Sequence, residues 1–315
     1  MNQLAIVFPG QGSQSVGMGK EFYDSSPVAK EIFEQANKVL GFELTELCFS
    51  GPEEKLKQTE FAQPGLFTVG YITYRFLAEH EITPAVVAGH SLGEYTALVT
   101  AGVFDFETAL KLVAERGRLM QRAGTDNPGS MAAVLGMTEP EIQEVCKQAE
   151  SNGYVGVANF NCPGQIVISG SVNGVAKAVE LIVGKGKKAV QLPVSGAFHS
   201  PLMESAAGKL TAMIRQQVFQ TPAIPVVPNV TAEYAQDAES IKSALTRQML
   251  SPVLWEASVR KMLQNGITAF VEAGTGKVLS GMIKRIDRQA MTLNIENIAS
   301  LNSTVQAIKE KNLCS

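Results

Sequence analysis

Gly89-His90-Ser91-Leu92-Gly93 is the stretch of sequence that decides the fold. It follows an apolar run at residues 85–88 and leads into an apolar-periodic segment at residues 92–101. This pattern predicts a strand, a sharp turn and a helix, with a serine at the apex of the turn. Glycines two positions before and after the serine leave room for the strand and the helix to pass each other. The stretch is therefore typical of a nucleophile elbow at the carboxyl edge of a sheet.

This serine indicates covalent acyl chemistry. At the apex, Ser91 is placed to attack an acyl group and form an ester. The amide of Leu92, at the N-terminus of the next helix, would point toward the oxyanion formed in that attack. The elbow therefore predicts acyl transfer through a serine ester, and by itself it leaves a hydrolase open.

The composition is that of an ordinary globular protein. The chain has 315 residues, of which 45% are hydrophobic and 18% are charged, and its net charge of −3 gives no reason to expect a nucleic-acid partner. The four cysteines lack metal-binding spacing and predict a reducing, cytoplasmic location. The N-terminal apolar run ends at Pro9-Gly10, which favours a strand over a signal peptide. No segment reaches the length of a membrane span.

Residues 1–125 and 197–315 predict the alternating strands and helices of an α/β protein with a parallel sheet. Pro64 suits the first turn of a long helix. Expected strands are 4–8, 85–89, 224–229, 268–271 and one near 295–300; expected helices are 28–40, 64–80, 92–101, 106–123, 201–218, 239–249, 254–265 and one from Lys277.

Residues 126–196 predict a different order, β-α-β-β-α-β, which is the ferredoxin-like motif. The strands are expected at 131–135, 155–159, 165–169 and 189–193, with helices at 140–149 and 173–183. We therefore expect a large α/β-hydrolase-like domain, discontinuous over 1–125 and 197–315, with a small ferredoxin-like domain inserted at 126–196.

A serine nucleophile needs a base, and the chain has three histidines. His90 follows the elbow strand directly, where neighbouring side chains diverge, and His80 ends a helix in a charged stretch. His199 lies where the chain returns from the insertion, beside the expected cleft between domains. We expect His199 to be the base; a histidine that merely enters the helix after Ser200-Pro201 is the alternative.

The sequence offers no convincing acid to complete a triad. Between Ser91 and His199 the aspartates are Asp105, which has the position of a helix N-cap, and Asp126, which lies in a linker. A backbone or amide carbonyl is able to accept the imidazole N–H instead and fix its tautomer. A serine–histidine dyad is therefore the simpler prediction.

Arg116 lies on the apolar stripe of its helix, at four-residue spacing from Leu112 and Met120. A buried guanidinium needs an anion. A structural salt bridge or a side chain reaching to solvent explains the spacing at least as well. The sharper hypothesis is bidentate recognition of a substrate carboxylate.

The turn after the first strand, residues 8–14, resembles a dinucleotide-binding loop but has Ser15 where the third glycine should be. Such a loop lines the site at the carboxyl end of its strand. We expect Gln11 to lend an amide donor to an oxyanion hole there.

Together these motifs resemble the malonyl-CoA:acyl-carrier-protein transacylases of bacterial fatty acid and polyketide synthesis. The resemblance covers nearly the whole chain, and the combination is far more specific than the elbow alone. It rests on residues 8–14 (FPGQGSQ), 89–95 (GHSLGEY), Arg116-Gly117, 159–165 (NFNCPGQ), 196–200 (GAFHS) and Arg247-Gln248.

The resemblance implies roles for five residues. Ser91 is acylated by malonyl-CoA, and His199 is the general base. Arg116 pairs with the free malonyl carboxylate. Gln11 and the Leu92 amide form the oxyanion hole. No metal or redox cofactor is implied, because coenzyme A enters as part of the substrate.

The resemblance also implies a carbonyl at the Gln248 position that orients the histidine. The ring of Phe198 would crowd an α-methyl branch, a discrimination worth about 1–3 kcal/mol. The second partner is an acyl carrier protein, and the chain is expected to act as a monomer away from membranes. Contacts with the carrier or with coenzyme A are expected at Asn161 and at the basic cluster Lys185, Lys187 and Lys188, although a solvated turn is the alternative for any one lysine.

Two other functions compete with this interpretation. A serine hydrolase or thioesterase would use the same elbow, but it has no obvious use for Arg116. A non-catalytic acyl- or nucleotide-binding module would use the glycine-rich turns, but it would not need both Ser91 and His199. Release of free malonate would favour the hydrolase or thioesterase. Failure to exchange acyl groups between thiols would favour the non-catalytic binding module.

Overall fold

The computed structural model describes residues 3–194 and 196–314. In this part of the chain the strands form two separate four-stranded sheets. In chain order they are β1 (Leu4–Phe8), β2 (Val86–Gly89), β3 (Gly129–Leu135), β4 (Val155–Cys162), β5 (Gln165–Ser171), β6 (Lys188–Gln191), β7 (Ala269–Ala273) and β8 (Met291–Ile295).

The helices pack around both sheets, and short 3-10 turns lie at Glu150–Asn152, Pro201–Met203 and Gln248–Leu250. The α-helices are α1 (Lys20–Ser25), α2 (Pro27–Leu40), α3 (Leu44–Ser50), α4 (Glu53–Leu56), α5 (Thr59–Glu79), α6 (Gly93–Thr100), α7 (Phe106–Asp126), α8 (Glu139–Ala149), α9 (Val172–Gly184), α10 (Glu204–Gln216), α11 (Ala238–Arg247), α12 (Trp255–Gln264), α13 (Val278–Ile286) and α14 (Ile298–Glu310).

The first sheet is parallel throughout, in the order β2-β1-β7-β8. Every residue of β1 is buried, because helices cover both faces of the sheet. Leu4, Ile6 and Phe8 pack into one apolar cluster, while Ala5 and Val7 face the other. The predicted α/β fold class with a parallel sheet is confirmed, and the carboxyl ends of β1 and β2 meet at the elbow.

The second sheet is antiparallel, in the order β4-β5-β3-β6. Its strands and the helices α8 and α9 follow each other as β-α-β-β-α-β, the order expected from the sequence. Ala132 and Val134 of β3 pack with Ile142 of α8 and Ile182 of α9 in a small core of their own. The limits of the two domains, at residues 126 and 196, stay a prediction.

Several predicted elements begin or end elsewhere, among them two long helices. The long helix starts at Thr59, not at Pro64, because the side chain of Gln121 accepts the Thr59 amide at 3.0 Å and starts the helix a turn earlier. Pro64 lies inside the helix, where its ring removes one hydrogen-bond donor. The helix from Phe106 runs on to Asp126, three residues beyond its predicted end.

Two predicted strands are wrong. Residues 224–229 make only isolated bridges, through Val226 to Val87 and Ala235. The strand near 295–300 ends at Ile295, since the side chain of Asn297 accepts the Ser300 amide at 2.8 Å and caps a helix. The helices α1, α3, α4 and α14 had no prediction.

Candidate active site

Ser91 lies at the turn between β2 and α6 with φ +51°, in the left-handed region that side chains seldom adopt. A Cβ at Gly89 would overlap the main chain of Gly93, and a Cβ at Gly93 would overlap the main chain of Phe8. Both glycines are thus required by the close approach of β1, β2 and α6. The turn that they allow presents the Ser91 hydroxyl to a cavity above the sheet.

Ser91 and His199 are in hydrogen-bond contact, with 2.8 Å between Oγ and Nε2. His199 Nδ1 lies 3.0 Å from the carbonyl oxygen of Gln248 and 3.1 Å from that of Ser251. Because carbonyl oxygens only accept, Nδ1 carries the ring proton and Nε2 offers its lone pair to the serine hydroxyl. The imidazole is therefore arranged to remove the Ser91 proton.

The surroundings of His199 keep its ring neutral. Burial first, and then the positive charge of Arg116, lower the pKa of His199 to about 3. The residue is 5% exposed and has φ +56°, so its loop is also held in the left-handed region. A neutral imidazole at pH 7 is the form that a general base requires.

The other candidates for a triad lie elsewhere. Asp105 caps α7, with its carboxylate accepting the Thr108 amide at 2.7 Å. His90 is half-buried, and its Nε2 lies 2.9 Å from Asn161 Oδ1. Within residues 3–194 and 196–314 no carboxylate hydrogen-bonds His199; carbonyl oxygens occupy that position.

Arg116 is 1% exposed and points into the site from α7. Its Nη1 donates to Gln63 Oε1 at 2.7 Å. Its Nη2 donates to Ser91 Oγ at 2.9 Å and to Gln248 Oε1 at 3.1 Å. Among the residues described, no carboxylate forms a salt bridge with it, and its Nε has no partner. The guanidinium is thus a buried cation whose hydrogen bonds all go to neutral groups; burial lowers its pKa, and the charge of the nearby Glu94 carboxyl is among the influences that oppose this shift.

A third glycine, Gly117, brings Arg116 close to the serine. A Cβ at Gly117 would lie 2.9 Å from the carbonyl oxygen of Thr59, so α5 and α7 pack closely at this point. The ring of Tyr95 lies on the other side, with its centroid 5.6 Å from the guanidinium carbon. Tight packing of the two helices therefore fixes where the charge lies.

The side chain of Gln248 connects several groups of the site. Its Nε2 donates to the Ser91 carbonyl oxygen at 2.9 Å and to Glu94 Oε2 at 3.0 Å. The family resemblance implied a role only for the main-chain carbonyl of this residue. Its side chain is equally central, because it contacts the elbow, the arginine and a buried carboxylate.

Sequence reasoning missed Glu94 and Asn229. Glu94 is 1% exposed, and burial raises its pKa to about 7. Asn229 accepts the Ser91 amide at 2.7 Å through Oδ1 and donates to the Gly89 carbonyl at 2.6 Å through Nδ2. It thereby clamps the turn on both sides of the apex. A charged residue three positions after the serine, inside an apolar helix, was the available signal for Glu94.

The cavity in front of Ser91 has a volume of about 480 Å³. Gln11, Leu92, Asn161 and Phe198 all line it. The side chain of Gln11 donates to Thr59 Oγ1 at 3.1 Å, so its amide group is already engaged. The structure therefore brings eight of the predicted site residues together: Gln11, Ser91, Leu92, Arg116, Asn161, Phe198, His199 and Gln248.

The predicted basic cluster does not line this cavity. Lys185, Lys187 and Lys188 lie before or at the start of β6, and Lys187 Nζ donates to the carbonyl of Gly136 at 2.8 Å. The chain reaches the cavity wall only after β6, at residues 192–194. Lys57, next to α4, is the lysine among the lining residues.

The described residues contain no group of three or more histidine, cysteine, aspartate or glutamate side chains that could hold a metal ion. Over the same part of the chain, no helix is both long and apolar enough to cross a membrane.

Comparison with known proteins places the chain in a family. The model of the acyl transferase domain family matches residues 5–310. A malonyl CoA-acyl carrier protein transacylase of Bacillus subtilis is 43% identical over 99% of both chains. The crystal structure of a malonyl-CoA:acyl carrier protein transacylase from Xanthomonas oryzae superposes with a TM-score of 0.94, at 43% identity over 98% of both chains.

A further solved structure contains a partner. It is a malonyl-transacylase in complex with a type II polyketide synthase acyl-carrier protein; it is 39% identical, has a TM-score of 0.94 and covers 97% of this chain and 99% of that one. Family match, sequence identity and fold agree along nearly the whole chain. This chain therefore belongs to the acyl transferase domain family.

Proposed function

We propose that the protein moves a malonyl group from malonyl-CoA to the phosphopantetheine thiol of an acyl carrier protein. One observation carries this proposal: Ser91 Oγ is shared between a neutral His199 and the buried guanidinium of Arg116, which forms no salt bridge with any described residue. A base on one side of the nucleophile and a cation on the other suit an acyl donor that ends in a carboxylate. The relatives named as malonyl transacylases support the same choice of substrate.

The first half-reaction forms the acyl-enzyme. The Ser91 hydroxyl passes its proton to His199 Nε2 while Oγ attacks the thioester carbon of malonyl-CoA. Main-chain amides of Gln11 and Leu92 stabilise the oxyanion, since the Gln11 side chain is held by Thr59. The carbon–sulfur bond then breaks, and the leaving thiolate of coenzyme A takes the proton from His199.

The second half-reaction runs the same steps with a new thiol. The phosphopantetheine thiol gives its proton to His199, and its sulfur attacks the ester carbon of malonyl-Ser91. Collapse of this intermediate breaks the bond to Oγ, which regains the proton from His199. The transfer is therefore ping-pong, with one base serving both directions.

Arg116 supplies specificity in both halves. Its Nη2 leaves Ser91 Oγ when the serine becomes an ester, and the guanidinium is then free to hold the malonyl carboxylate by two parallel hydrogen bonds. The ring of Phe198, in the cavity wall, narrows the space beside the α-carbon. A thioesterase needs no such cation, so nothing in the site favours the hydrolytic alternative.

Contacts with the carrier follow from the cavity and its surroundings. Asn161 lies in the cavity wall, with Oδ1 toward His90, and is placed to contact the pantetheine arm. Lys185, Lys187 and Lys188 lie outside the cavity, where they would meet the acidic carrier protein and not the acyl chain. The complex of a related transacylase with its acyl-carrier protein supports a carrier as the second substrate.

The deciding experiment is to trap the acyl-enzyme. Incubation with malonyl-CoA is expected to add one malonyl group to the intact protein, observed by mass spectrometry on the peptide containing Ser91. Ser91→Ala is expected to carry no label, and Ser13→Ala, which alters another serine of the cavity wall, is expected to keep it. Label on the Ser91→Ala protein would refute the proposal, as would release of free malonate in place of malonyl-carrier.

A further inference from the structure

Glu94 is a buried carboxylate that the proposed reaction does not use. It lies in the first turn of α6, three residues after the nucleophile, and is 1% exposed. Its Oε2 accepts two hydrogen bonds, one from the main-chain amide of Asn229 at 2.9 Å and one from Gln248 Nε2 at 3.0 Å. One oxygen thus joins the residue that clamps the elbow to the residue that contacts Arg116.

These contacts determine which way the Gln248 amide faces. Its Nε2 group meets two acceptors, Glu94 Oε2 and the Ser91 carbonyl oxygen. Its Oε1 meets a donor, Nη2 of Arg116, at 3.1 Å. A reversed amide would set oxygen against oxygen at the first two contacts and an NH₂ group against the guanidinium at the third. Glu94 therefore favours the orientation that presents an oxygen to Arg116.

The position of Arg116 depends on that oxygen. Within the described residues, the guanidinium is held by three oxygens, those of Gln63, Ser91 and Gln248. The Ser91 contact is lost once the serine is acylated. Gln63 and Gln248 then remain to aim the charge at the acyl group, and only Gln248 is in turn fixed by a carboxylate.

We infer that Glu94 is a positioning residue for the selection of carboxylated acyl groups: by fixing the side chain of Gln248, it holds Arg116 in the place where a malonyl carboxylate is bound. This inference rests on the proposed function. It separates Glu94 from His199, which is held by the main-chain carbonyls of Gln248 and Ser251 and does not need the Gln248 side chain.

A simpler role would be to hold the elbow alone, through the amide of Asn229. The two roles predict different kinetics. Loss of the elbow clamp slows acylation by every donor alike, because Ser91 itself is displaced. Loss of Arg116 positioning slows acylation by malonyl-CoA and leaves acetyl-CoA, which has no carboxylate, little affected.

The test compares two substitutions of similar size. Glu94→Gln keeps one acceptor oxygen at the position of Oε2, because the Asn229 amide and Gln248 Nε2 both donate to that position. We therefore expect the ratio of malonyl to acetyl kcat/KM to stay within about threefold of the wild type. Glu94→Met removes both acceptors, and we expect that ratio to fall about 10- to 100-fold, with KM for malonyl-CoA raised. Asp105→Ala, which removes the N-cap of the helix carrying Arg116, is the control for general loosening and should leave the ratio unchanged.

Each outcome decides the matter. A wild-type enzyme that transfers no malonyl group refutes the proposed function, whatever the variants do. The inference is overturned, and the function left intact, if the wild type selects malonyl-CoA but the ratio of malonyl to acetyl kcat/KM is unchanged in Glu94→Met. Equal losses of activity with both donors in Glu94→Met would have the same meaning. If Glu94→Met does not fold, Glu94→Asp replaces it: its shorter carboxylate is drawn back from Gln248, so a reduced ratio supports the inference and an unchanged ratio overturns it.

Discussion

At the scale of single residues, Arg116 connects recognition to chemistry. Its position on an apolar stripe indicated burial, but the stripe carried no information on its partners. The structure surrounds the charge with amide and hydroxyl oxygens, which attract a cation less strongly than a carboxylate does. A substrate carboxylate would therefore supply the direct ion pair that the described residues do not form with Arg116.

Replacing Arg116 by methionine should reverse the preference between donors. We expect kcat/KM for malonyl-CoA to fall about 100-fold, because a charged hydrogen-bonded contact worth about 1.5–3 kcal/mol is lost. Acetyl-CoA, which lacks a carboxylate, should be used as well as before or better. Arg118→Met, at an exposed position two residues along the same helix, serves as the control. Unchanged selectivity in Arg116→Met would return Arg116 to a structural role.

The low pKa of His199 should be visible in the pH dependence of the reaction. The base works only when neutral, so kcat/KM falls as the pH drops through its pKa in the free enzyme. Since burial and Arg116 hold that pKa far below the ordinary 6.5, the acid limb should lie well below pH 6.5. In Arg116→Met the limb should move to higher pH, because one of the two main causes is removed.

The measurement is best made with acetyl-CoA in the Glu94→Gln background, since burial raises the pKa of the Glu94 carboxyl to about 7 and its titration would otherwise add a second transition to the profile. An acid limb at pH 6.5 that does not respond to Arg116→Met would contradict the assigned environment of the histidine.

At the scale of elements, the elbow depends on how closely β1, β2 and α6 approach one another. Gly93→Ala places a methyl group against the main chain of Phe8, which is unable to move aside within the sheet. We expect the free energy of unfolding to fall by about 3 kcal/mol or more, at the upper end of overpacking effects. Urea denaturation measures this loss.

Gly208→Ala is the matched substitution. Gly208 lies within α10, where a Cβ would meet nothing within 4 Å. Alanine should stabilise this helix by about 0.5–1 kcal/mol. Equal effects of the two substitutions would mean that the crowding at the elbow is less severe than the geometry indicates.

The sequence predicted an element well where the residues that determine its limits lie within or next to that element. The elbow, the strand Leu4–Phe8 and the helix ending before Gly41 each carry their own glycines or apolar runs. The start of α5 depended on Gln121, 62 residues away, and no local pattern contains that contact. Asn297, the N-cap of α14, did mark the start of a helix locally, but the apolar residues around it favoured the prediction of a strand.

The same distinction applies to the site. Ser91, His199 and Arg116 stand in motifs and were predictable. Asn229 and Ser251 come from loops without any pattern, and only folding brings them to the dyad.

At the scale of the whole molecule, the cavity is built from both sheets. Met131 of β3 and Val167 of β5 line it opposite Ser91 and Leu92, which belong to the elbow of the parallel sheet. The small sheet therefore forms one wall of the acyl site. Its strand β6 begins at Lys188 of the basic cluster, which lies outside the cavity.

Removing that cluster tests its role in docking. The triple variant Lys185→Ala, Lys187→Ala and Lys188→Ala should raise KM for the carrier about 3- to 30-fold at low salt, because exposed charge pairs contribute up to about 1 kcal/mol each. Transfer to free pantetheine should not change. The effect should shrink at high ionic strength, where such contacts are screened. The control is the substitution of Lys309 and Lys311, near the end of α14, by alanine. If the KM for the carrier changes neither with salt concentration nor in the triple variant, the cluster has no role in docking.

Arg116, which forms no direct salt bridge with any described residue, has a consequence for heat resistance. A folded protein that buries a cation without a counter-ion sacrifices part of its thermal stability, and a ligand that supplies the missing anion restores it. The malonylated enzyme should therefore melt at a higher temperature than the empty one, while the acetylated enzyme should not. The protein would then be most stable to heat midway through turnover, when Ser91 carries the malonyl group and the carrier has not yet reacted.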